Sequence, residues 1–167
     1  MSTPLNVVQI GLGPIGQRMV REIVDHAHLN LVAAVDINPE IVGRDAGQVA
    51  GLDQPIGVAV VPSLDRVDAD AQIASVTTTS SIASAEATFI ECAQEGLHVV
   101  STCEELAYPW QTAPEVSQRI DAAAKAGNVA ILGTGVNPGF LMDLLPIVTT
   151  GVCRSEEHTS ELQSLLI

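Results

Sequence analysis

The sequence predicts an α/β fold built on a doubly wound parallel sheet, because short apolar runs alternate with helical patterns along the chain. The first apolar run, Leu5 to Ile10, leads through a glycine-rich turn into Met19 to Val24, where apolar side chains recur at helical spacing. A second run, Leu31 to Val35, completes a β-α-β unit within about thirty residues. The 167 residues are enough for one domain with a buried core.

The later elements continue this alternation. We expect strands at 58–61, 72–76, 98–100 and 129–132, helices at 82–95 and from Thr112 to Ala126, and a last helix beginning near Phe140. Thr112 and Glu115 have the spacing of a capping box, and Gly96 and Gly127 are expected to end helices. Residues 37–55 are expected to form a loop with one short helix near 45–50.

The composition excludes several classes of protein. Hydrophobic residues make up 47% of the chain and charged residues 16%, which excludes intrinsic disorder as the main state. The chain has 7 basic and 20 acidic residues and only 2% aromatics. Such a surface repels phosphate backbones and offers few rings on which bases could stack, so we expect no nucleic-acid partner.

The same survey bears on location. No apolar run approaches the ~18 residues of a membrane span and no signal-peptide pattern is visible, so we expect no membrane partner. The three cysteines, Cys92, Cys103 and Cys153, are too few and too scattered for a disulfide framework or a metal cluster. We therefore expect no metal and a reducing, cytoplasmic setting.

The glycine-rich turn has the pattern of a dinucleotide-binding fingerprint. Gly11, Gly13 and Gly16 stand at the required spacing between a strand and a helix, and Asp36 follows at the end of the next strand. Gly11 allows the tight turn, Gly13 lets a pyrophosphate approach the backbone, and Gly16 lets the helix pack against the sheet. The pattern predicts a Rossmann-type sheet that binds a dinucleotide. The alternative is a glycine-rich turn in such a fold with no nucleotide.

Asp36 also bears on the choice of cofactor. Its carboxylate could accept hydrogen bonds from ribose hydroxyls and would repel a 2′-phosphate. Since no Lys or Arg follows it directly, the sequence favours NAD as the cofactor. NADP stays possible, because Arg44 is close enough in sequence to reach the same place.

Polar or glycine-rich segments follow three of the later strands, at 77–81, 101–105 and 133–139. Ligands of open α/β sheets bind outside the carboxyl ends of the strands, so these segments are site candidates as a group. Singly, each can equally be a helix cap or a turn, as Ser80 or Ser81 before Ile82. Cys103 is expected to be a small buried residue and not a nucleophile, because no His near it in sequence would activate it.

The end of the chain has a different origin in our interpretation. The eleven residues from Arg154 to Ser164 resemble the in-frame translation of a common sequencing adapter. We interpret 1–153 as the dinucleotide-binding domain and 154–167 as an artefactual tail, which fold reasoning leaves aside. On this interpretation the natural protein is interrupted near Cys153 and the chain is an N-terminal fragment. The alternative is a genuine polar, amphipathic tail.

Five segments carry a resemblance to a known family: 11–16, 35–39, 43–47, 103–110 and 133–143. They resemble the 2,4-diaminopentanoate dehydrogenase family, which shares an N-terminal domain with dihydrodipicolinate reductase. The Cys-Glu-Glu…Tyr-Pro-Trp and Gly-Val-Asn-Pro-Gly-Phe segments are the specific ones. The resemblance covers residues 5 to about 153. It implies an NAD(P)-dependent dehydrogenase that oxidises the amine-bearing carbon of a small diamino acid, with a second domain that closes over the substrate and carries homo-oligomer contacts.

The resemblance also implies roles for residues at matching positions. The pyrophosphate would be held by Gly11, Gly13, Pro14, Ile15 and Gly16, and the adenosine ribose by Asp36. Thr77 and Thr78 would line the cofactor cleft, and the nicotinamide would be flanked by Ser101, Thr102, Cys103, Gly133, Thr134 and Gly135. Glu104 and Asn137 would face the substrate. Glu104 is the candidate catalytic residue, because a carboxylate there would receive the substrate ammonium.

Two alternatives stay open on these residues. One is a reductase of a cyclic imine, like dihydrodipicolinate reductase, whose His-rich signature lies in a second domain outside this chain. The other is a nucleotide-sensing domain without turnover. Because the substrate walls would come from the second domain, we expect this chain alone to be inactive.

Overall fold

Each predicted apolar run becomes a strand in the computed structural model, which describes residues 3–151. The strands are β1 Leu5–Ile10, β2 Leu29–Val35, β3 Val60–Val61, β4 Ile73–Val76, β5 His98–Ser101 and β6 Ile131–Gly133. The α-helices are α1 Pro14–Asp25, α2 Ala46–Val49, α3 Ile82–Gln94, α4 Pro114–Gly127 and α5 Leu145–Thr150. The interpretation of 154–167 as an artefactual tail lies outside the described residues.

The six strands form one sheet in the order β3-β2-β1-β4-β5-β6, and every pair is parallel. The chain moves outward from β1 in one direction through β2 and β3, and then returns to begin again at β4. The prediction of a doubly wound, Rossmann-type sheet is confirmed. The order reverses between β1 and β4, where a crevice opens at the carboxyl ends of the strands.

The core lies on both faces of this sheet, as the near-continuous apolar strands predict. One cluster packs α3 against the sheet and includes Val8, Ile10 and Phe89. The other packs α1 and includes Val7 and Val20. Strand β1 supplies both clusters because its successive side chains alternate between the two faces.

Helix α4 departs from the sequence prediction at both ends. The residue at its N-terminal cap is Ala113, with no side-chain hydrogen bond, so the capping box at Thr112 and Glu115 is wrong. At the other end Gly127 lies inside the helix, and Asn128 ends it in the left-handed conformation, with φ of 54°. Gly127 is required for another reason: a Cβ there would lie 2.1 Å from the carbonyl oxygen of Ala93 in α3. The glycine allows close packing of two helices.

The last described segment is helical earlier than predicted. Residues Val136–Leu144 form a π-helical stretch that continues into α5, whereas the sequence indicates a loop as far as Gly139. Apolar side chains of this stretch are exposed, among them Val136, Met142 and Ile147. Between residues 3 and 151, no helix has the length and apolar character needed to span a membrane.

Candidate functional site

The glycine-rich turn places helix α1 directly over the end of β1. Gly11 has a φ of +87°, and a Cβ there would also lie 2.9 Å from Cγ2 of Thr78. At Gly16 a Cβ would lie 1.8 Å from the carbonyl oxygen of Gly11, so only glycine permits this approach of helix and turn. At Gly13 a Cβ would meet no heavy atom within 4 Å. The turn therefore leaves open space above Gly13.

The N-terminus of α1 adjoins that open space. Its cap residue is Gly13, which has no side chain to bond the first N–H groups, and Pro14 lacks an N–H. The first intrahelical bond runs from the Gln17 N–H to the Gly13 carbonyl at 2.9 Å. The N–H groups of Ile15 and Gly16 precede it, and together with the positive end of the helix dipole they suit an anion such as a pyrophosphate.

Asp36 is held by two backbone N–H groups at the end of β2. One of its oxygens accepts from the N–H of Leu12 in the glycine turn at 2.6 Å, and the other accepts from the N–H of Asn38 at 2.8 Å. The side chain is partly exposed. The carboxylate is therefore fixed beside the turn, with acceptor capacity left for a further donor.

Two cavities meet at the switch point of the sheet, on either side of Thr77 to Thr79. One, of about 600 Å³, lies against Asp36 and Gly13 and continues to the start of the loop after β3 and one side of α3. The other, of about 960 Å³, lies against Ile15 and α1. In the part of the chain that the structure describes, no Lys or Arg lines the cavity at Asp36, and Arg44 does not reach it. A second carboxylate, Glu91, does line it.

The cavity beside α1 brings most of the predicted site residues together. Its walls include Ile15, Thr77, Thr78, Thr102, Glu104, Gly135 and Asn137, which come from four separate segments of the chain. Glu104 is exposed and also lines a smaller cavity with Tyr108. The described residues thus give a cleft with a carboxylate on one wall and hydroxyl groups on another.

Four predicted residues lie beside this cleft without lining it. The Ser101 hydroxyl is buried and donates to the Val76 carbonyl at 2.9 Å. The Cys103 thiol is buried and contacts the Ser80 carbonyl at 3.2 Å. Gly133 packs against Leu106 and Ala107, and Thr134 is partly buried. The structure places these four among the loops that support the cleft.

A contact between two loops orients Glu104. The neighbouring carboxylate, Glu105, accepts from the Ile82 N–H at 2.8 Å and so caps α3 from 23 residues away. The Glu105 N–H donates to the Ser80 carbonyl at 3.2 Å. Ser81 occupies the cap position, one of the two that the sequence offers, but forms no side-chain bond there, so Glu105 supplies the side-chain acceptor. With Glu105 turned toward α3, Glu104 lies at the cleft.

Both described cysteines are buried, and their environment disfavours the reactive thiolate. Burial raises the pKa of the Cys92 thiol to about 12, with a smaller contribution from the charge of Glu91. Burial also raises the pKa of Cys103, although backbone N–H groups of Leu106 and Glu105 partly oppose the shift. Since the thiolate is the reactive form, neither residue is suited to be a nucleophile. This agrees with the expectation for Cys103.

Sequence reasoning gave no role to three contributors to this site. They are Gln9, which bonds to the glycine turn, Glu105, which caps α3, and Arg18, which lines the cleft beside Glu104. For Gln9 a signal was present, because it is a polar residue between two apolar ones near the end of the strand. Arg18 and Glu105 resemble ordinary surface charges in the sequence.

Comparison with known proteins decides the family. The N-terminal domain family of dihydrodipicolinate reductase matches residues 5–105, more than half of the chain. The chain belongs to this family. Its matched segment corresponds to the N-terminal domain of a family of oxidoreductases, and the predicted family is confirmed.

Individual relatives agree with this assignment. The 2,4-diaminopentanoate dehydrogenase of Acetoanaerobium sticklandii is 47% identical over 66 residues, which are 40% of this chain and 18% of that enzyme. The amine dehydrogenase of Streptomyces virginiae is 31% identical over 152 residues, covering 89% of this chain and 42% of the relative. The solved structure of amine dehydrogenase from Mycobacterium smegmatis is 28% identical with a TM-score of 0.79, over 90% of this chain and 45% of that one. The chain thus spans less than half the length of these relatives.

Proposed function

We propose that this domain binds NAD along the carboxyl edge of its sheet, and that the intact protein oxidises the amine-bearing carbon of a small amino or diamino acid. The observation that carries the proposal is the carboxylate of Asp36, fixed beside the glycine turn at 2.6 Å from the Leu12 N–H. The space above Gly13, which a Cβ would fill without touching the protein, supports the fit of a pyrophosphate.

The two cavities suit the two halves of a dinucleotide. Asp36 would accept hydrogen bonds from the adenosine ribose in one cavity, and the N–H groups of Ile15 and Gly16 would hold the pyrophosphate. The nicotinamide half would lie in the other cavity, near Thr77, Thr78 and Thr102. Bound NAD supplies the hydride acceptor, and the protein supplies position and electrostatics.

One carboxylate of the cleft, Glu104, would suit an amine-bearing substrate. Glu104 presents a carboxylate that would attract a substrate ammonium, and Asn137, on the same cavity, would add an amide donor and acceptor. Ser101, Cys103, Gly133 and Thr134 would support the nicotinamide side from behind the cavity wall.

NAD is expected to bind more tightly than NADP. Asp36 and Glu91 would both repel a 2′-phosphate, by about 1–2 kcal/mol at a partly solvated site, or roughly 5- to 30-fold in Kd. Calorimetric titration of the purified chain with each nucleotide checks this. Asp36→Ser should bring the Kd values for NAD and NADP closer together. Glu40→Gln is the control and should leave their ratio unchanged, because Glu40 is exposed and lies outside the cavity. A preference for NADP, or no binding of either nucleotide, would contradict the proposal.

A further inference from the structure

The buried amide of Gln9 is a feature that the apolar pattern of the sheet does not explain. Gln9 lies in the central strand β1 with no exposed surface, between Val8 and Ile10 of the core. Its Oε1 atom has no hydrogen-bond partner among residues 3–151. An apolar side chain would fill the position without this desolvation penalty. The amide therefore opposes the stability of the strand that contains it.

The other end of the amide contacts the glycine turn. Nε2 of Gln9 donates to the Gly11 carbonyl at 2.9 Å and to the Thr77 hydroxyl at 2.8 Å. The Thr77 hydroxyl donates in turn to the same Gly11 carbonyl at 3.0 Å. Two donors, one from β1 and one from the residue that follows β4, therefore hold one carbonyl oxygen, at the point where φ is +87°.

That carbonyl belongs to the peptide group that also contains the Leu12 N–H. The Leu12 N–H donates to Asp36 at 2.6 Å. Because a trans peptide group is planar, with its C=O and N–H on opposite sides, fixing the carbonyl also fixes the direction of the N–H. Gln9 and Thr77 on one side, and Asp36 on the other, are therefore linked by a single rigid unit.

We propose that Gln9 is a positioning residue for the nucleotide, which orients the Gly11–Leu12 peptide and through it the carboxylate of Asp36. The inference rests on the nucleotide binding proposed above. Gln9 lines neither cavity of the cleft, so it acts without contacting the ligand. Thr77 lines both cavities and joins the same network.

The test is Gln9→Met, which keeps the approximate volume of the side chain and removes the amide. The Kd for NAD should rise about tenfold, the effect of one lost hydrogen bond, and the preference for NAD over NADP should narrow. The melting temperature should stay the same or rise, because a half-satisfied buried amide has been removed. Weaker NAD binding without a loss of thermal stability is what distinguishes a positioning role from a structural one.

Ser75→Ala is the matched control. Ser75 is also buried and polar and lies opposite Gln9 in the neighbouring strand β4, but it does not bond to the glycine turn. Its replacement should leave the Kd for NAD unchanged. Thr77→Val should weaken binding and Thr77→Ser should restore it, because serine keeps the hydroxyl. In the double variant Gln9→Met/Thr77→Val, the loss of binding free energy should be smaller than the sum of the two single losses. Both side chains donate to the same Gly11 carbonyl, so their effects are coupled.

Three outcomes would overturn the inference. Gln9→Met could bind NAD as tightly as the wild-type chain. The variant could instead lose both stability and NAD affinity, or fail to fold, which would show that the Gln9 amide has only a structural role in the core. If the wild-type chain binds neither NAD nor NADP, the proposed function fails first and the inference with it.

Discussion

Gly13→Val is expected to abolish NAD binding and leave the fold intact. The backbone at Gly13 is extended, with φ of −64° and ψ of −174°, which valine tolerates and which the following Pro14 favours. A Cβ there meets no protein atom within 4 Å, so the new side chain extends into the open space proposed for the pyrophosphate. We expect the Kd to rise more than ~100-fold, about 3 kcal/mol, through lost contacts to the N–H groups of α1.

Calorimetric titration and a thermal melt of the same samples check this result. Gly13→Ala is the graded control, because its single methyl group reaches less far into the proposed pyrophosphate position. A valine variant that melts like the wild-type chain and still binds NAD equally well would show that the pyrophosphate lies elsewhere.

Gly16→Ala is expected to produce the opposite phenotype, a large loss of stability. Alanine is a better helix former than glycine by about 1 kcal/mol, which alone would stabilise α1. The new Cβ would, however, lie 1.8 Å from the Gly11 carbonyl oxygen and 2.9 Å from Oγ1 of Thr77. Relieving that clash requires α1 to move away from the sheet, at a cost of about 3 kcal/mol or more. The net effect is therefore destabilising.

Urea unfolding measures that loss as a lower midpoint with an unchanged slope. Gly13→Ala again serves as the control, because it adds the same methyl group three residues away in open space. An unchanged midpoint for Gly16→Ala would mean that the helix and the turn are less closely packed than the structure has them.

Much of the fold could be predicted because its strands are buried on both faces. Strand β1 was predicted with its observed bounds, Leu5–Ile10, since a mostly apolar run ends abruptly at Gly11. The errors occurred where a distant contact decides the local structure. Gly127 resembles a helix stop in the sequence, but it is a packing residue because Ala93 lies against it. Nothing within a few residues of Gly127 reveals that neighbour.

The same distinction applies to the site. The glycines and Asp36 could be found because their spacing along the chain encodes the geometry of one β-α-β unit. Glu105 and Gln9 could not be given roles, because their partners, Ile82 and Thr77, are 23 and 68 residues away. The side chains of two adjacent residues after β5 also have different environments: Glu104 lines the cleft, while the Cys103 side chain is buried. An alternation of this kind depends on how the loop after β5 packs on Ser80.

The two buried thiols make local opening of the domain measurable. Alkylation requires an exposed thiolate, so each cysteine reacts only when the segment around it opens. Both thiols face the core, but Cys92 lies on α3, whereas Cys103 lies in the loop after β5 and contacts the Ser80 carbonyl, so peptide-resolved mass spectrometry should find Cys103 modified first. Saturating NAD should slow Cys103 further, because a ligand that binds the closed cleft lowers the population of the open one. Equal rates with and without NAD would show that the loop opens independently of the nucleotide. If NAD does slow the reaction, the rate of alkylation at Cys103 follows the exchange of the cleft between closed and open forms.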